Sequence, residues 1–151
     1  MRIRRAGIED VPWVCAQLRD FADSAPLLRK LYGSQEHAEV VVGNLVRDHY
    51  MAIAERDGAP VGFIAGMLAP HPFNPDLLFA AEVFWWVTLP HRGSRAGAML
   101  FNDFDRWADN SGAHLVGMTR EASSPISERA YLRRGYQPAE QQYVRCVGGI
   151  A

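Results

Sequence analysis

At 151 residues, with 48% hydrophobic and 22% charged side chains, the chain suits a single domain able to bury roughly two thirds of its unfolded surface. Its 16 basic and 17 acidic residues leave a formal charge of −1, so no global field draws in a nucleic-acid backbone and the arginines must act locally. No segment is apolar for long enough to span a membrane, and the basic opening MRIRRAG leads into a helical pattern with Glu9, Asp10 and Asp20, unlike a signal peptide.

Arg2 to Arg5 reads as a short edge strand. Ile8, Val11, Val14, Cys15, Leu18, Phe21 and Ala22 then mark one face of a helix, with Pro12 tolerated in its first turn. Asp23-Ser24-Ala25-Pro26 ends that helix, and Leu27 to Tyr32 is an apolar, basic connector whose secondary structure the pattern leaves open. Ser34 is placed to cap a second helix, in which Ala38, Val41, Val42, Leu45 and Val46 form the buried stripe. The two cysteines, Cys15 and Cys146, offer neither a disulfide framework nor a zinc site; both read as small core residues, and a reducing cytoplasm is the expected compartment.

Tyr50 to Glu55 and Val61 to Leu68 read as strands of a β-hairpin, because Asp57-Gly58 supplies the residues that tolerate positive φ in a tight turn. Three prolines in Ala69 to Pro75 exclude helix and predict a stiff loop, which could overhang a pocket. Leu77 to Leu89 returns as a long strand ending at Pro90. After the stretch His91 to Gly97, residues Leu100, Phe101, Phe104, Trp107 and Ala108 recur at helical spacing, and Asp109-Asn110-Ser111-Gly112 stops the helix. Ala113 to Met118 is the next expected strand, parallel to the one before the helix. Ser124-Pro125 reads as a cap and first helical residue, Gly135 as the stop, and Gln141 to Val147 as a closing strand. The expected architecture is therefore α/β: a central sheet flanked by helices, containing one parallel βαβ unit.

The organising stretch is Glu82 to Trp107. A strand, a basic glycine-containing loop and a helix start make an anion site, because first-turn N–H groups lack intrahelical acceptors and the helix dipole favours negative charge. The expected guest is a phosphate or pyrophosphate. Neither a Gly-Lys-Ser/Thr P-loop nor the full GxGxxG dinucleotide spacing is present. Trp85 and Trp86 should face opposite sides of the sheet. His71 and His91 lack the i, i+4 partner of a helical metal pair, so no metal is expected.

Arg92-Gly93-Ser94-Arg95-Ala96-Gly97, preceded by Val87-Thr88-Leu89-Pro90 and followed by Ala130-Tyr131-Leu132-Arg133-Arg134-Gly135-Tyr136, resembles the GNAT N-acetyltransferase superfamily. In that family the acetyl-CoA loop reads Arg/Gln-x-x-Gly-x-Gly/Ala and a tyrosine precedes Gly-Phe. The resemblance implies a mostly antiparallel sheet with a splayed cofactor slot, and direct acetyl transfer from acetyl-CoA to an amine of a small molecule, protein or peptide. It places the cofactor against Trp86, Val87, Leu89, Arg92, Gly93, Ser94, Arg95, Ala96, Gly97 and Ser124. Glu82 corresponds to the family's frequent glutamate base, and Tyr131 to its proton donor for the leaving thiolate. A homodimer would follow family habit. Arg95 replaces the family's inner glycine. That departure motivates a second reading, a CoA-binding or interaction module of the same fold with little or no turnover.

Overall fold

The computed structural model describes residues 1–121, 124–145, 147 and 148. Five strands lie side by side in the order β1-β2-β3-β4-β5: β1 is Arg2–Arg5, β2 Tyr50–Arg56, β3 Ala59–His71, β4 Asn74–Val87 and β5 Leu115–Gly117. All neighbours are antiparallel except β4 and β5, which run parallel. Helices α1 (Val11–Asp23), α2 (Pro26–Leu31) and α3 (Gln35–Asp48) precede β2; α4 (Ala96–Asn110) links β4 to β5, and α5 (Glu128–Leu132) follows β5. The mixed α/β architecture agrees with the sequence reading, and the open connector at Leu27 to Tyr32 proves to contain α2.

The sheet separates two apolar layers. On one face Val14, Cys15, Leu18, Val42 and Leu45 pack against Met51, Ile53, Phe63 and Trp86; on the other, Ala96, Leu100 and Phe104 of α4 pack against Tyr50, Ile64 and Val61. Trp85 joins the second layer and Trp86 the first, as alternation along a strand requires. Ile8 is an exception to the expected helix face: it lies in a 3₁₀ turn ahead of α1 and is exposed.

Local chemistry explains the boundaries. Ser34 Oγ accepts from the His37 N–H at 3.2 Å and caps α3. Asp57 and Gly58 both take positive φ, 53° and 82°, in the two-residue β2–β3 turn. The proline-rich stretch is not a loop. β3 continues to His71 and β4 starts at Asn74, with only Pro72 and Phe73 between them. β2 pairs with β3 only as far as Gly66, so Pro70 sits where that edge of β3 has no neighbour and its missing N–H disrupts no ladder.

Two expectations near the C-terminus need correction. Ser124 caps no helix: its hydroxyl accepts from the Ile126 N–H at 3.2 Å within a turn, and Ser127, in extended conformation, occupies the N-cap position of α5. The closing strand expected over 141–147 is absent from 141–145, where Tyr143 and Val144 are exposed, because strand-forming residues form a strand only against a neighbour. Cys146 lies outside the described residues, whereas Cys15 is a free, buried thiol as expected.

Candidate functional site

The site grows from a change in pairing along β4. Phe79, Ala80 and Ala81 pair with Leu115, Val116 and Gly117 of β5, and there the parallel ladder stops. β4 runs on to Val87, still paired with β3 on its other side. Beyond Ala81 the two strands are no longer hydrogen-bonded to each other, and this wedge in the ladder lies at the carboxyl ends of a parallel pair, where ligands of α/β sheets commonly bind. Thr88 donates its N–H to the Val61 carbonyl on β3 at 3.0 Å. By strand alternation the backbone of Trp86 also points towards β3, whereas those of Val87 and Trp85 face the open edge.

A β-bulge determines what else enters the wedge. Ala65 pairs with Phe84 but Gly66 with Glu82, so Val83 is an extra residue on β4. Without it, Glu82 would share the face of Phe84 and Trp86. With it, Glu82 shares the face of its partner Gly66, where an added Cβ would lie 2.5 Å from the Phe104 ring and 3.0 Å from Trp107. The carboxyl is thus turned to the α4 side. This bulge has no signature in the sequence, since Val83 is an ordinary strand residue.

Glu82 accepts from the Thr119 N–H just past β5 at 3.2 Å. No cation pairs with it among the described residues. Burial raises its pKa to about 7 against the lowering effect of that one N–H. Tyr131 of α5 is buried on the same side, with its ring 6.5 Å from that of Trp85 and 5.4 Å from that of Phe101. Burial and the nearby Glu82 charge push its phenol above the ordinary tyrosine value, while Arg120 opposes them. A carboxyl raised to near neutrality beside a phenol raised above its ordinary value has the ordering that acid–base chemistry at neutral pH needs.

The loop after β4 lies at the other end of the open segment. Leu89 belongs to an exposed 3₁₀ turn, Leu89–His91. Arg92 folds back, its Nε donating to the Val87 carbonyl at 3.4 Å and its guanidinium lying 4.4 Å from the centre of the Trp86 ring. Trp86 is otherwise buried, its indole N–H donating to Gln17 Oε1 at 3.3 Å. Gly93 has φ of +81°, which disfavours any side chain, and Ser94 Oγ accepts from the Ala96 N–H at 3.3 Å.

Arg95 takes helical dihedrals, φ −72° and ψ −3°, at the N-cap of α4. A non-glycine residue there therefore meets no backbone strain, and the exposed Arg95 side chain projects from the helix start. A Cβ on Gly97 would meet Trp85 at 3.6 Å and Val87 at 3.8 Å, ordinary contacts. Packing within the chain does not demand glycine there, whereas close approach of a ligand to the helix N-terminus would. Ser124 lies in the turn between β5 and α5 and its hydroxyl is engaged by Ile126.

Of the residues singled out in the sequence, the structure brings Glu82 and Tyr131 to one side of the wedge and 92–97 to the start of α4. Among the described residues no group of three or more His, Cys, Asp or Glu side chains could hold a metal ion. No helix among them is long and apolar enough to cross a membrane.

The family model of the acetyltransferase (GNAT) family matches residues 14–136. A search of curated proteins finds no match. Among solved structures, a transcriptional regulator from Bacillus halodurans C-125 superposes with a TM-score of 0.78 at 18% identity, covering 97% of this chain and 99% of that one. A ribosomal-protein-alanine N-acetyltransferase from Brucella melitensis biovar Abortus 2308 gives 0.71 at 17% identity, covering 97% and 100%. A protein from Clostridium acetobutylicum described as a predicted acetyltransferase, solved with acetyl-CoA, gives 0.69 at 13% identity, covering 96% and 95%. At these identities the structural likeness speaks to the fold alone.

Proposed function

Since the chain belongs to the GNAT acetyltransferase family, we propose that it is a single-domain enzyme that passes an acetyl group directly from acetyl-CoA to an amine of a small molecule, protein or peptide. The observation that carries this reading is the half-buried Glu82, turned by the bulge to the side of Tyr131 at the point where β4 and β5 part, with no cation paired to it among the described residues.

The cofactor's pyrophosphate would be held at the first turn of α4 by the N–H groups of the segment Gly93 to Gly97 and by Arg92 and Arg95, with Ser94 shaping the turn. Its pantetheine arm would take the open edge of β4. There the outward N–H groups of Val87 and Trp85 would polarise the thioester carbonyl and stabilise the charge that develops on its oxygen. Trp86 would support this edge from behind, and Leu89 and Ser124 would border the cofactor. Glu82 takes one proton of the incoming ammonium, and the freed amine nitrogen bonds to the carbonyl carbon to give a tetrahedral adduct. The carbon–sulfur bond then breaks as Tyr131 protonates the departing thiolate, and the adduct's nitrogen returns its second proton to the Tyr131 oxygen, leaving the amide, free CoA thiol and one proton on Glu82 that passes to water.

A non-catalytic carrier of the same fold would not need a half-buried carboxyl that has no cation paired to it among the described residues, which costs stability at neutral pH. The test is acceptor-dependent release of free CoA across a panel of amines, peptides and aminoacyl-tRNAs. A hit that collapses in Glu82→Gln while acetyl-CoA affinity survives is expected. Affinity without release for any acceptor supports the carrier, and no binding at millimolar acetyl-CoA ends both readings.

A further inference from the structure

Tyr131 is carried on α5, a helix of only 5 residues. So short a helix does not hold its own geometry in water, and its place must be fixed by what it touches. The contacts lie on α4. Tyr136 donates its hydroxyl to Asp105 Oδ1 at 2.6 Å, and Arg134 donates to Asn102 Oδ1 at 2.8 Å and to the Ala130 carbonyl at 3.0 Å. The Arg134 guanidinium also lies 4.2 Å from the centre of the Phe101 ring and 3.8 Å from the Asp105 carboxylate.

Phe101 is the surface on which Tyr131 rests, and Tyr136 closes against Tyr131 with ring centres 6.3 Å apart. Gly135, at φ +86°, turns the chain so that the Tyr136 N–H returns to the Tyr131 carbonyl at 3.3 Å. Asn102 and Asp105 are one helical turn apart and present both acceptors from one side of α4. Asn102 and Asp105 lie on α4 beyond its first turn, and the cluster reaches α5 through the Arg134 bond to the Ala130 carbonyl and the Tyr136 ring against Tyr131.

We propose that Asn102, Asp105, Arg134 and Tyr136 are positioning residues, clamping α5 onto α4 so that the Tyr131 hydroxyl is held at the Glu82 end of the wedge. The clamp rests on the reading of Tyr131 as proton donor. Proton transfer falls steeply when donor and acceptor drift by an ångström, so loosening the clamp lowers turnover while leaving cofactor binding alone.

The test uses protein labelled with ¹³C at the tyrosine ring carbon bearing oxygen, in which the signal lost in Tyr131→Phe identifies Tyr131 among the 5 tyrosines. Its shift should follow the ionisation of Glu82 around pH 7, an inflection absent from Glu82→Gln. Asn102→Ala and Tyr136→Phe should each cut that inflection at least twofold and lower release of free CoA from acetyl-CoA at least fivefold, with acetyl-CoA Kd within twofold of wild type. Asn102→Asp, which keeps an oxygen acceptor for Arg134, should restore both, an outcome a general loss of stability would not produce. Full inflection and rate in Asn102→Ala and Tyr136→Phe, beside an impaired Tyr131→Phe, would overturn the clamp and leave the donor intact. An unimpaired Tyr131→Phe would overturn the donor and the clamp with it.

Discussion

The molecule draws carboxylates out of water in two places, fully at Asp10 and Glu55 and halfway at Glu82, and treats them in opposite ways. At the β1 edge, Glu55 receives Arg2 at 2.8 Å and also pairs with Arg4, while Asp10 takes both terminal nitrogens of Arg4, at 2.7 and 2.8 Å. Hydrogen bonding to Arg4 comes first among the causes that hold both carboxylates below their ordinary range. At the β4–β5 wedge, Glu82 has one backbone N–H and desolvation dominates, lifting its pKa to about 7. The same kind of group is a fixed charge where guanidinium forks meet it and a titrating one where they do not. Pairing accounts for the lowered carboxylates, and desolvation without a paired cation for the raised one, which is the environment the proposed base requires.

The sharpest way to break this contrast is to remove each group in turn. Glu82→Gln should lower acceptor-dependent turnover by about 10²- to 10⁴-fold with acetyl-CoA binding retained, measured by CoA release and calorimetry. Tyr131→Phe should cost about 10- to 100-fold in kcat, read in the same assay, because water can replace a thiolate donor more readily than a buried base.

The opposite experiment falls on the paired site. Arg4→Met leaves Asp10 without its guanidinium and Glu55 with Arg2 alone, and should lower the melting temperature by several degrees while the surviving folded fraction keeps its kcat. A melting curve beside an active-site titration separates the two effects.

The pH dependences should also oppose each other. Glu82 has a raised folded pKa, so its contribution is intact below the unfolded value and lost as pH rises through about 7. Glu82→Gln should therefore melt higher than wild type at pH 9, by an amount on the order of 3 kcal/mol, and alike at pH 4. Asp10 has a lowered pKa, so its contribution is present above the unfolded value and disappears as pH falls through the folded one. The smallest expected effect is on stability in Gly97→Ala, within about 0.5 kcal/mol, since the added methyl finds only ordinary contacts. Its acetyl-CoA Kd should nonetheless rise, because the methyl stands at the first turn of α4.

Much of this was legible in the residues themselves. Asp57-Gly58 announces its turn because few other pairs take positive φ twice, and Ser34 announces its helix because a hydroxyl can satisfy an orphan N–H. The order of strand, basic loop and helix at Glu82 to Trp107 survived intact. What was not legible depended on neighbours. Pro70 reads as a loop residue until the sheet shows that β2 has already ended beside it. Ser124 reads as a cap until Ser127 is found in that place. Glu82 could be singled out in the sequence, but the face it occupies is set by the bulge at Val83, a register offset between two strands that no local composition encodes.

The central claim is that Glu82 titrates near neutrality and takes the acceptor's proton. The pH profile of kcat/KM for acceptor-dependent CoA release, in wild type and Glu82→Gln, tests it directly. An acid limb with an inflection near pH 7 in wild type, missing from a severely slowed Glu82→Gln, is the predicted result. The same inflection and rate in both proteins would contradict it.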